Sequence, residues 1–381
     1  MRYPEFLKDN GRIGFIAPSF GAVIEPYHTL FGNTLKVLGD KGYKTVLGPN
    51  CYEDKGLGKS NTPEKCAEEI NDFFTNDRSD VIISCGGGET MCEDLPFVDF
   101  EAIAKAKPKW YMGYSDNTNL TFTLPTLCDT AAIYGPCAGS LGMREWHESI
   151  QDAFDLLTGN KLSVHNYDKW ERSSEETDDL LAGYNVTEPF AMKVFMPEGA
   201  AAGNDDSASA GKAPGNSKTS FEAMASGNDG ISSAESENAV KAAFSGRLIG
   251  GCMDCLSMLC GTGFDKVGEF AERYADDGII WFMEACELGP MSIRRVLWQL
   301  ENAGWFKHVK GFIFGRPLMI DADGMGLDRF TAVTGILGKY NVPILMDVDL
   351  GHLPPMMPVI SGACADVKAD GNRLEISYRL E

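Results

Sequence analysis

The chain has 381 residues, of which 44% are hydrophobic, and a formal net charge of −21 at pH 7. Because this length exceeds what one hydrophobic core usually supports, two domains are expected. The acidic balance argues against nucleic acid as a partner, since phosphates require clustered Lys and Arg, and against an anionic membrane surface.

The sequence also carries no signal for export or membrane insertion. No apolar run approaches the ~20 residues that span a bilayer, and the N-terminus lacks the apolar segment of a signal peptide. Eleven cysteines are too sparse in a chain of this length for a disulfide scaffold. We therefore expect a cytoplasmic protein with reduced thiols.

The first 155 residues predict an α/β domain in which strands and helices alternate. Strands are expected at 12–18, 43–47, 81–84, 109–113 and 132–134, and helices at 27–40 and from Pro63 onwards. Thr62 is expected to cap the second helix, with Pro63 at its first position, where the missing N–H costs nothing. This alternation predicts a doubly wound, mostly parallel sheet whose functional loops leave the carboxyl ends of its strands.

Residues 156–245 are predicted to connect this domain to a second one. Strands are expected near 167–170 and 189–196. Residues 198–245 are rich in Gly, Ala, Ser, Asn and Asp and contain few large apolar side chains. Such a composition buries too little surface to offset the entropy of ordering, so a mobile insertion is predicted there.

Residues 246–381 predict a smaller C-terminal α/β domain with a mixed sheet. Strands are expected at 278–283, 311–314 and 342–346, with helices at 290–304 and 327–339. The tail from 363 to 378 turns at Asp370-Gly371-Asn372 and predicts a hairpin.

A serine lies at the end of the fourth predicted strand, within the stretch from Gly113 to Thr118. A strand, a tight turn and a helix there would expose the Ser115 hydroxyl and the N–H groups after it, as in a nucleophile elbow. The second glycine of the G-x-S-x-G pattern is absent. Ser115 or Asp116 capping the following helix is the simpler alternative.

The third predicted strand ends in the glycine-rich loop from Cys85 to Thr90. Its glycines permit close approach of a ligand and leave N–H groups free, so the loop could hold a phosphate or supply an oxyanion donor. It matches neither the P-loop nor the dinucleotide-binding pattern. A plain tight turn is the alternative.

A general base and an orienting acid are sought among the histidines and carboxylates. Of five histidines, His352 follows a predicted strand in a rigid loop with Gly351 and two prolines, where function tends to lie. Glu284 ends the apolar run 279–283, where an unpaired carboxylate would be costly. A salt-bridged core glutamate is the alternative, and Glu287 could be the acid equally well.

Three cysteines lie close together, at Cys252, Cys255 and Cys260. A zinc or redox site would need a second cysteine or histidine cluster at suitable spacing, and none is present. Small apolar packing residues on a buried helix explain them better. We therefore predict no metal.

Taken in order, these segments resemble the LD-carboxypeptidase family of serine peptidases, which includes muramoyl-tetrapeptide carboxypeptidases and microcin C self-immunity peptidases. The matching stretches are 12–18, 84–89, 113–118, 135–136, 246–251, 281–287, 293–300, 311–316 and 351–362. They bracket nearly the whole chain outside the predicted insertion.

The resemblance implies a Ser-Glu-His triad at Ser115, Glu284 and His352. It also implies that the oxyanion donors are the backbone N–H groups of Gly88 and Asp116. The N-terminal domain would carry the serine and the C-terminal domain the other two residues. A cytoplasmic homodimer without metal or organic cofactor is expected, acting on a small peptide or amide.

The substrate is less determined, because residues 86–90 differ from the family's commonest loop and Cys252 stands where asparagine is usual. The main branch of the family implies a murein tetrapeptide, from which a terminal D-amino acid is removed during cell-wall recycling. An immunity peptidase that hydrolyses an aminoacyl- or peptidyl-nucleotide is the alternative, and a non-catalytic protein that binds a small ligand or nucleotide is a second one. The candidate substrate contacts are Gly87, Glu89, Trp170, which would stack on an adenine, and Arg316.

Overall fold

In the computed structural model, which describes residues 1–173, 177–197 and 240–381, the first 160 residues alternate between strands and helices as predicted. The strands are β1 (Arg12–Ile16), β2 (Lys44–Leu47), β3 (Val81–Ser84), β4 (Tyr111–Gly113) and β5 (Ala132–Tyr134). The helices are α1 (Tyr27–Asp40), α2 (Pro63–Thr75), α3 (Phe100–Lys105), α4 (Thr118–Thr121), α5 (Thr123–Cys128) and α6 (Glu148–Thr158). Thr62 does precede α2, but its side chain makes no capping hydrogen bond.

The remaining described residues form eleven strands and four helices. The strands are β6 (Ser163–His165), β7 (Lys169–Trp170), β8 (Glu188–Pro189), β9 (Lys193–Phe195), β10 (Lys241–Cys252), β11 (Ile279–Glu284), β12 (Val309–Gly315), β13 (Ile344–Val348), β14 (Val359–Ser361), β15 (Cys364–Asp370) and β16 (Arg373–Arg379). The helices are α7 (Met253–Leu259), α8 (Val267–Arg273), α9 (Pro290–Asn302) and α10 (Arg329–Leu337).

The first sheet has the strand order β14-β5-β4-β3-β1-β2. All neighbours pair in parallel except β14, which pairs antiparallel with β5. Because β3 and β4 are parallel neighbours, the glycine loop and the Ser115 turn leave the same edge of the sheet. The predicted mostly parallel sheet is confirmed, with one edge strand from the C-terminal part of the chain.

The second sheet is mixed, with the order β6-β16-β15-β10-β11-β12-β13-β9. Its centre, from β10 to β13, is parallel, and antiparallel strands flank it on both sides. The predicted hairpin is β15 and β16. Glu284 ends β11, and His352 follows β13 by four residues, so both residues lie at the carboxyl edge of the parallel strands.

The segment between the two sheets differs from its prediction. β6 and β9 are edge strands of the second sheet, because each supplies backbone groups that pair with an otherwise open edge. β10 begins at Lys241, so residues 241–245 of the predicted insertion are a paired strand. The rest of that prediction, residues 198–239, lies outside the described residues.

One of the buried apolar clusters spans both sheets. Its members include Ile133 and Tyr134 of β5 together with Ile280 and Phe282 of β11. The rings of Tyr134 and Phe282 lie 5.6 Å apart, centroid to centroid, across the two sheets. This shared burial fixes the carboxyl edges of β4 and β11 relative to each other, and the candidate site lies between them.

Candidate active site

Ser115 lies on the sharp turn that the sequence predicts. It follows β4 and begins a short 3₁₀ turn, Ser115–Asn117, that runs into α4. Its backbone has φ +64°, a left-handed conformation that is strained for a non-glycine residue. Strain of this kind is typical of a nucleophile elbow, because it projects the hydroxyl out of the turn.

Hydrogen bonds made by Asp116 and Asn117 hold the turn in place. The buried Asp116 carboxylate accepts hydrogen bonds from the Ser19 hydroxyl at 2.5 Å and from the Met91 N–H at 3.0 Å. The Asn117 side chain donates to the carbonyls of Tyr114 and Gly86, both at 2.9 Å. These bonds tie the serine turn to the glycine loop, so the two loops form one rigid unit.

The glycine loop approaches the serine closely. A Cβ atom at Gly87 would lie 3.3 Å from Ser115 Oγ. Gly88 has φ +153°, and a Cβ there would collide with Ser19 Oγ. Glycine is therefore required at Gly88 for both its conformation and its close packing, and the backbone of the loop lies beside the serine hydroxyl.

His352 connects Ser115 to Glu284. Its Nε2 atom lies 2.8 Å from Ser115 Oγ, and its Nδ1 atom lies 2.9 Å from Glu284 Oε2. With the hydrogen on Nδ1, the imidazole donates to the carboxylate and accepts from the serine hydroxyl. Three residues predicted from separate stretches of the sequence are thus within hydrogen-bonding distance in one chain of contacts.

Tyr134, at the end of β5, is a member of the site that sequence reasoning missed. Its hydroxyl donates to Glu284 Oε1 at 2.6 Å and accepts the Ser115 N–H at 3.1 Å. The sequence identified this residue only as part of a strand. Its position at a strand end, level with the serine turn, was the one available signal.

Burial and mutual charge set the protonation of the imidazole and its acid. Burial alone would raise the pKa of Glu284, but the charge of His352 and hydrogen bonds from His352, Tyr134 and Cys252 outweigh it and lower that pKa. For His352, burial opposes the charged form, yet Glu284 and Cys286 outweigh it and raise the pKa above its ordinary value of 6.5. The pair therefore favours a carboxylate beside an imidazole of raised basicity.

We predict that Tyr134→Phe lowers kcat/KM about tenfold, because the buried Glu284 carboxylate loses one of its donors and Ser115 loses a backbone contact. A merely structural role would leave the pH profile unchanged. Loss of the donor should instead move the acid limb of kcat/KM, which a pH series measures. Tyr378→Phe is the matched control, since it removes another buried hydroxyl, bonded to the Pro358 carbonyl.

A cavity of about 530 Å³ opens beside the serine. Most of its walls are apolar or aromatic, and Ser115, His352 and the glycine loop form one side. The lining includes Phe20, Ala22, Ile24, Tyr27, Leu30, Gly87, Gly88, Glu89, Tyr114, Pro136, Met143, Tyr184, Cys286 and Met356. A cavity of this size that contains a few converging polar groups is typical of a small-molecule site.

The other predicted site residues fall into two groups. Gly87 and Glu89 line the cavity, whereas Trp170 and Arg316 do not. The Arg316 guanidinium is buried 4.8 Å from the centre of the Trp170 ring and is paired with Asp349. Arg316 and Trp170 therefore pack at the end of β13, which precedes His352. They do not line the cavity, although the sequence predicted that both contact the substrate.

The two candidate acids lie in different surroundings. Glu284 is 1% exposed and contacts His352. Glu287 is exposed and lies beyond a turn in which the Asp254 carboxylate accepts the N–H groups of Cys286 and Glu287, both at 3.0 Å. Of these two acids, Glu284 is the one that is hydrogen-bonded to the imidazole.

Within the described parts of the chain, one group of side chains has the spacing of metal ligands: Glu148, Asp152 and His165. The Asp152 carboxylate is already bonded to the Lys161 ammonium at 2.7 Å and to the Tyr167 hydroxyl at 2.9 Å. None of the three lines the cavity. All eleven cysteines are unpaired, and Cys252 and Cys255 are buried beside the site.

Two parts of the chain match the two domain models of one peptidase family. The model of the LD-carboxypeptidase N-terminal domain matches residues 13–135, and that of the C-terminal domain matches residues 245–367. The chain belongs to the LD-carboxypeptidase family, which confirms the family predicted from the sequence.

Relatives of this chain include a microcin self-immunity protein and a putative carboxypeptidase of Vibrio cholerae, which is 23% identical over 383 residues, covering 100% of this chain and 98% of the relative. The chain is 24% identical to the microcin C7 self-immunity protein MccF of Escherichia coli over 371 residues, which cover 96% of this chain and 92% of the relative. A crystal structure of an MccF-like protein from Bacillus anthracis is 20% identical, with a TM-score of 0.74 and full coverage of both chains. MccF in complex with aspartyl sulfamoyl adenosine has a TM-score of 0.72 at 20% identity, covering 100% of this chain and 99% of the other. At such identities the structural likeness establishes the fold.

None of the helices in the described residues is both long enough and apolar enough to cross a bilayer.

Proposed function

We propose that the protein is a serine peptidase of the LD-carboxypeptidase type, in which Ser115, His352 and Glu284 act as a catalytic triad. The observation that carries the proposal is the chain of hydrogen bonds from Ser115 Oγ through His352 to Glu284, at 2.8 and 2.9 Å. It opens onto a cavity that can hold a peptide-sized ligand.

In this proposal Ser115 attacks the scissile carbonyl while His352 Nε2 accepts the hydroxyl proton. The resulting tetrahedral oxyanion is stabilised by the N–H groups of Gly88 and Asp116. His352 then donates its proton to the leaving amine, and the acyl-enzyme is hydrolysed by water in the reverse sequence. Glu284 holds the imidazole in the required tautomer and stabilises the imidazolium that forms.

The proposed substrate is a murein tetrapeptide, from which the enzyme removes the terminal D-amino acid. This assignment follows the LD-carboxypeptidase domains that match the two parts of the chain. A second candidate, an aminoacyl- or peptidyl-nucleotide, is supported by the likeness to MccF over nearly the full chain. The cytoplasmic location and the homodimeric state of the protein are predictions from the family resemblance.

The test is to incubate the protein with a murein tetrapeptide and, separately, with an aminoacyl sulfamoyl adenosine, and to identify products by mass spectrometry. Release of D-alanine from the tetrapeptide would support the first substrate, and release of the free amino acid from the nucleoside would support the second. Binding without turnover of either compound would contradict the proposal and favour a non-catalytic binding protein.

The pH dependence provides a further prediction. His352 must be neutral to accept the serine proton, and its pKa is raised above 6.5 by Glu284 and Cys286 against the effect of burial. We therefore expect kcat/KM to rise with pH through a limb that lies above pH 6.5. A profile that is already level at pH 6.5 would contradict this role of the ion pair, and stopped assays buffered from pH 5 to 10 would measure it.

A further inference from the structure

Few charged side chains line the cavity beside Ser115. Among the described residues of its lining, Glu89 is the only aspartate or glutamate, and none is lysine or arginine. Lys59 follows the lining residue Gly58, but its ammonium is paired with Glu93. A substrate entering this cavity therefore meets one carboxylate and, in the described part of the lining, no lysine or arginine. His352 is the lining side chain that can carry a positive charge.

The Glu89 carboxylate is also free of partners. It makes no hydrogen bond or ion pair with any residue in the described ranges, although it lies next to Gly88, a proposed oxyanion donor. Two neighbouring carboxylates are occupied, since Asp116 accepts from Ser19 and Met91, and Asp254 accepts from the turn after β11. Among the described residues that line the cavity, Glu89 is thus the acid with acceptor capacity left for a ligand.

Three carboxylates and one imidazole act on the charge of Glu89. Partial burial, and then the nearby Glu287, Asp116 and Asp254, raise its pKa, with His352 opposing them. A positive charge from a ligand would relieve this repulsion, whereas a second carboxylate would add to it. Glu89 is itself exposed, whereas much of the remaining cavity wall is apolar, including Tyr27 and Leu30.

We propose that Glu89 forms a cation subsite, so that the preferred substrate carries an ammonium group close to the scissile bond. The inference rests on the proposed peptidase function, which it deepens by naming the charge of the substrate. The ammonium could be a side-chain amine of the residue that supplies the scissile carbonyl, as in a lysine-containing murein tetrapeptide. It could equally be the free α-amine of an aminoacyl nucleoside.

The experiment uses two pairs of compounds that differ only in this charge. One pair is a murein tetrapeptide with L-lysine as its third residue and the same peptide with Nε-acetyl-lysine. The other pair is alanyl sulfamoyl adenosine and its N-acetyl derivative. Each pair is tested with the wild-type protein, with Glu89→Gln, and with Glu375→Gln, which removes an exposed charge on β16.

In one of the two pairs we expect the wild type to cleave the cationic member about tenfold more efficiently, the size of one charge-assisted hydrogen bond. Glu89→Gln should reduce this ratio to near one, and Glu375→Gln should preserve it. The pair that shows the preference identifies the source of the ammonium. Equal cleavage within both pairs, or a preference that survives Glu89→Gln, would overturn the subsite.

Binding separates this result from the fate of the proposed function. Dissociation constants for the same compounds are measured by calorimetry with Ser115→Ala and with Ser115→Ala/Glu89→Gln. If no compound is cleaved but the cationic member of a pair binds about tenfold more tightly only when Glu89 is present, the proposed function fails and the subsite stands. Equal dissociation constants within both pairs would overturn the subsite whether or not the protein is a peptidase.

Discussion

Replacing Ser115 by alanine is expected to reduce kcat by about 10⁴-fold or more, because the change removes the atom that forms the acyl-enzyme. The side chain makes one hydrogen bond, to His352, and the turn is held by Asp116 and Asn117. The fold should therefore be retained, with a melting temperature close to that of the wild type. Turnover of the cleaved substrate, followed by mass spectrometry, measures the effect.

The control for this variant is Ser377→Ala, which removes a serine hydroxyl from β16, at the far side of the second sheet. It should retain turnover within about threefold, since surface substitutions of this kind have small effects. If Ser115→Ala and Ser377→Ala were equally active, Ser115 would not be the nucleophile. A folded but inactive Ser115→Ala protein that still binds substrate is the result that supports the mechanism.

Replacing Glu284 by glutamine is expected to lower kcat by about 10³- to 10⁴-fold. The amide keeps the size of the side chain but has no charge to stabilise the imidazolium. The NH₂ group also replaces one carboxylate oxygen and cannot accept, so one of the two hydrogen bonds now donated by His352 and Tyr134 is lost. Loss of the carboxylate removes the main cause of the raised His352 pKa, so the residual activity should show its limb at lower pH.

Glu287→Gln is a close control, because the residue is three positions away, carries the same charge and was an equal candidate from sequence. It is exposed and makes no contact with the imidazole among the hydrogen bonds of the described chain. We expect its kcat to stay within about threefold of wild type. A larger loss in Glu287→Gln than in Glu284→Gln would show that the wrong acid has been placed in the triad.

Much of the fold follows from local patterns in the sequence. The helix from Tyr27 to Asp40 and the strand from Val81 to Ser84 have the predicted bounds, because apolar periodicity and nearby proline and glycine residues fix them locally. The edge strands β6 and β9 are short, and their stability comes from pairing with distant partners. Their place in the second sheet could not be predicted from local pattern.

The site shows the same division. By itself the sequence determined that Ser115, the glycine loop and His352 stand at strand ends, and the family resemblance paired them with Glu284. The tertiary structure decided the 2.8 Å contact of Ser115 with His352, 237 positions apart, and the place of Tyr134 between Ser115 and Glu284. The physical reason is that β4 and β11 belong to different sheets, and only their shared apolar packing brings their ends together.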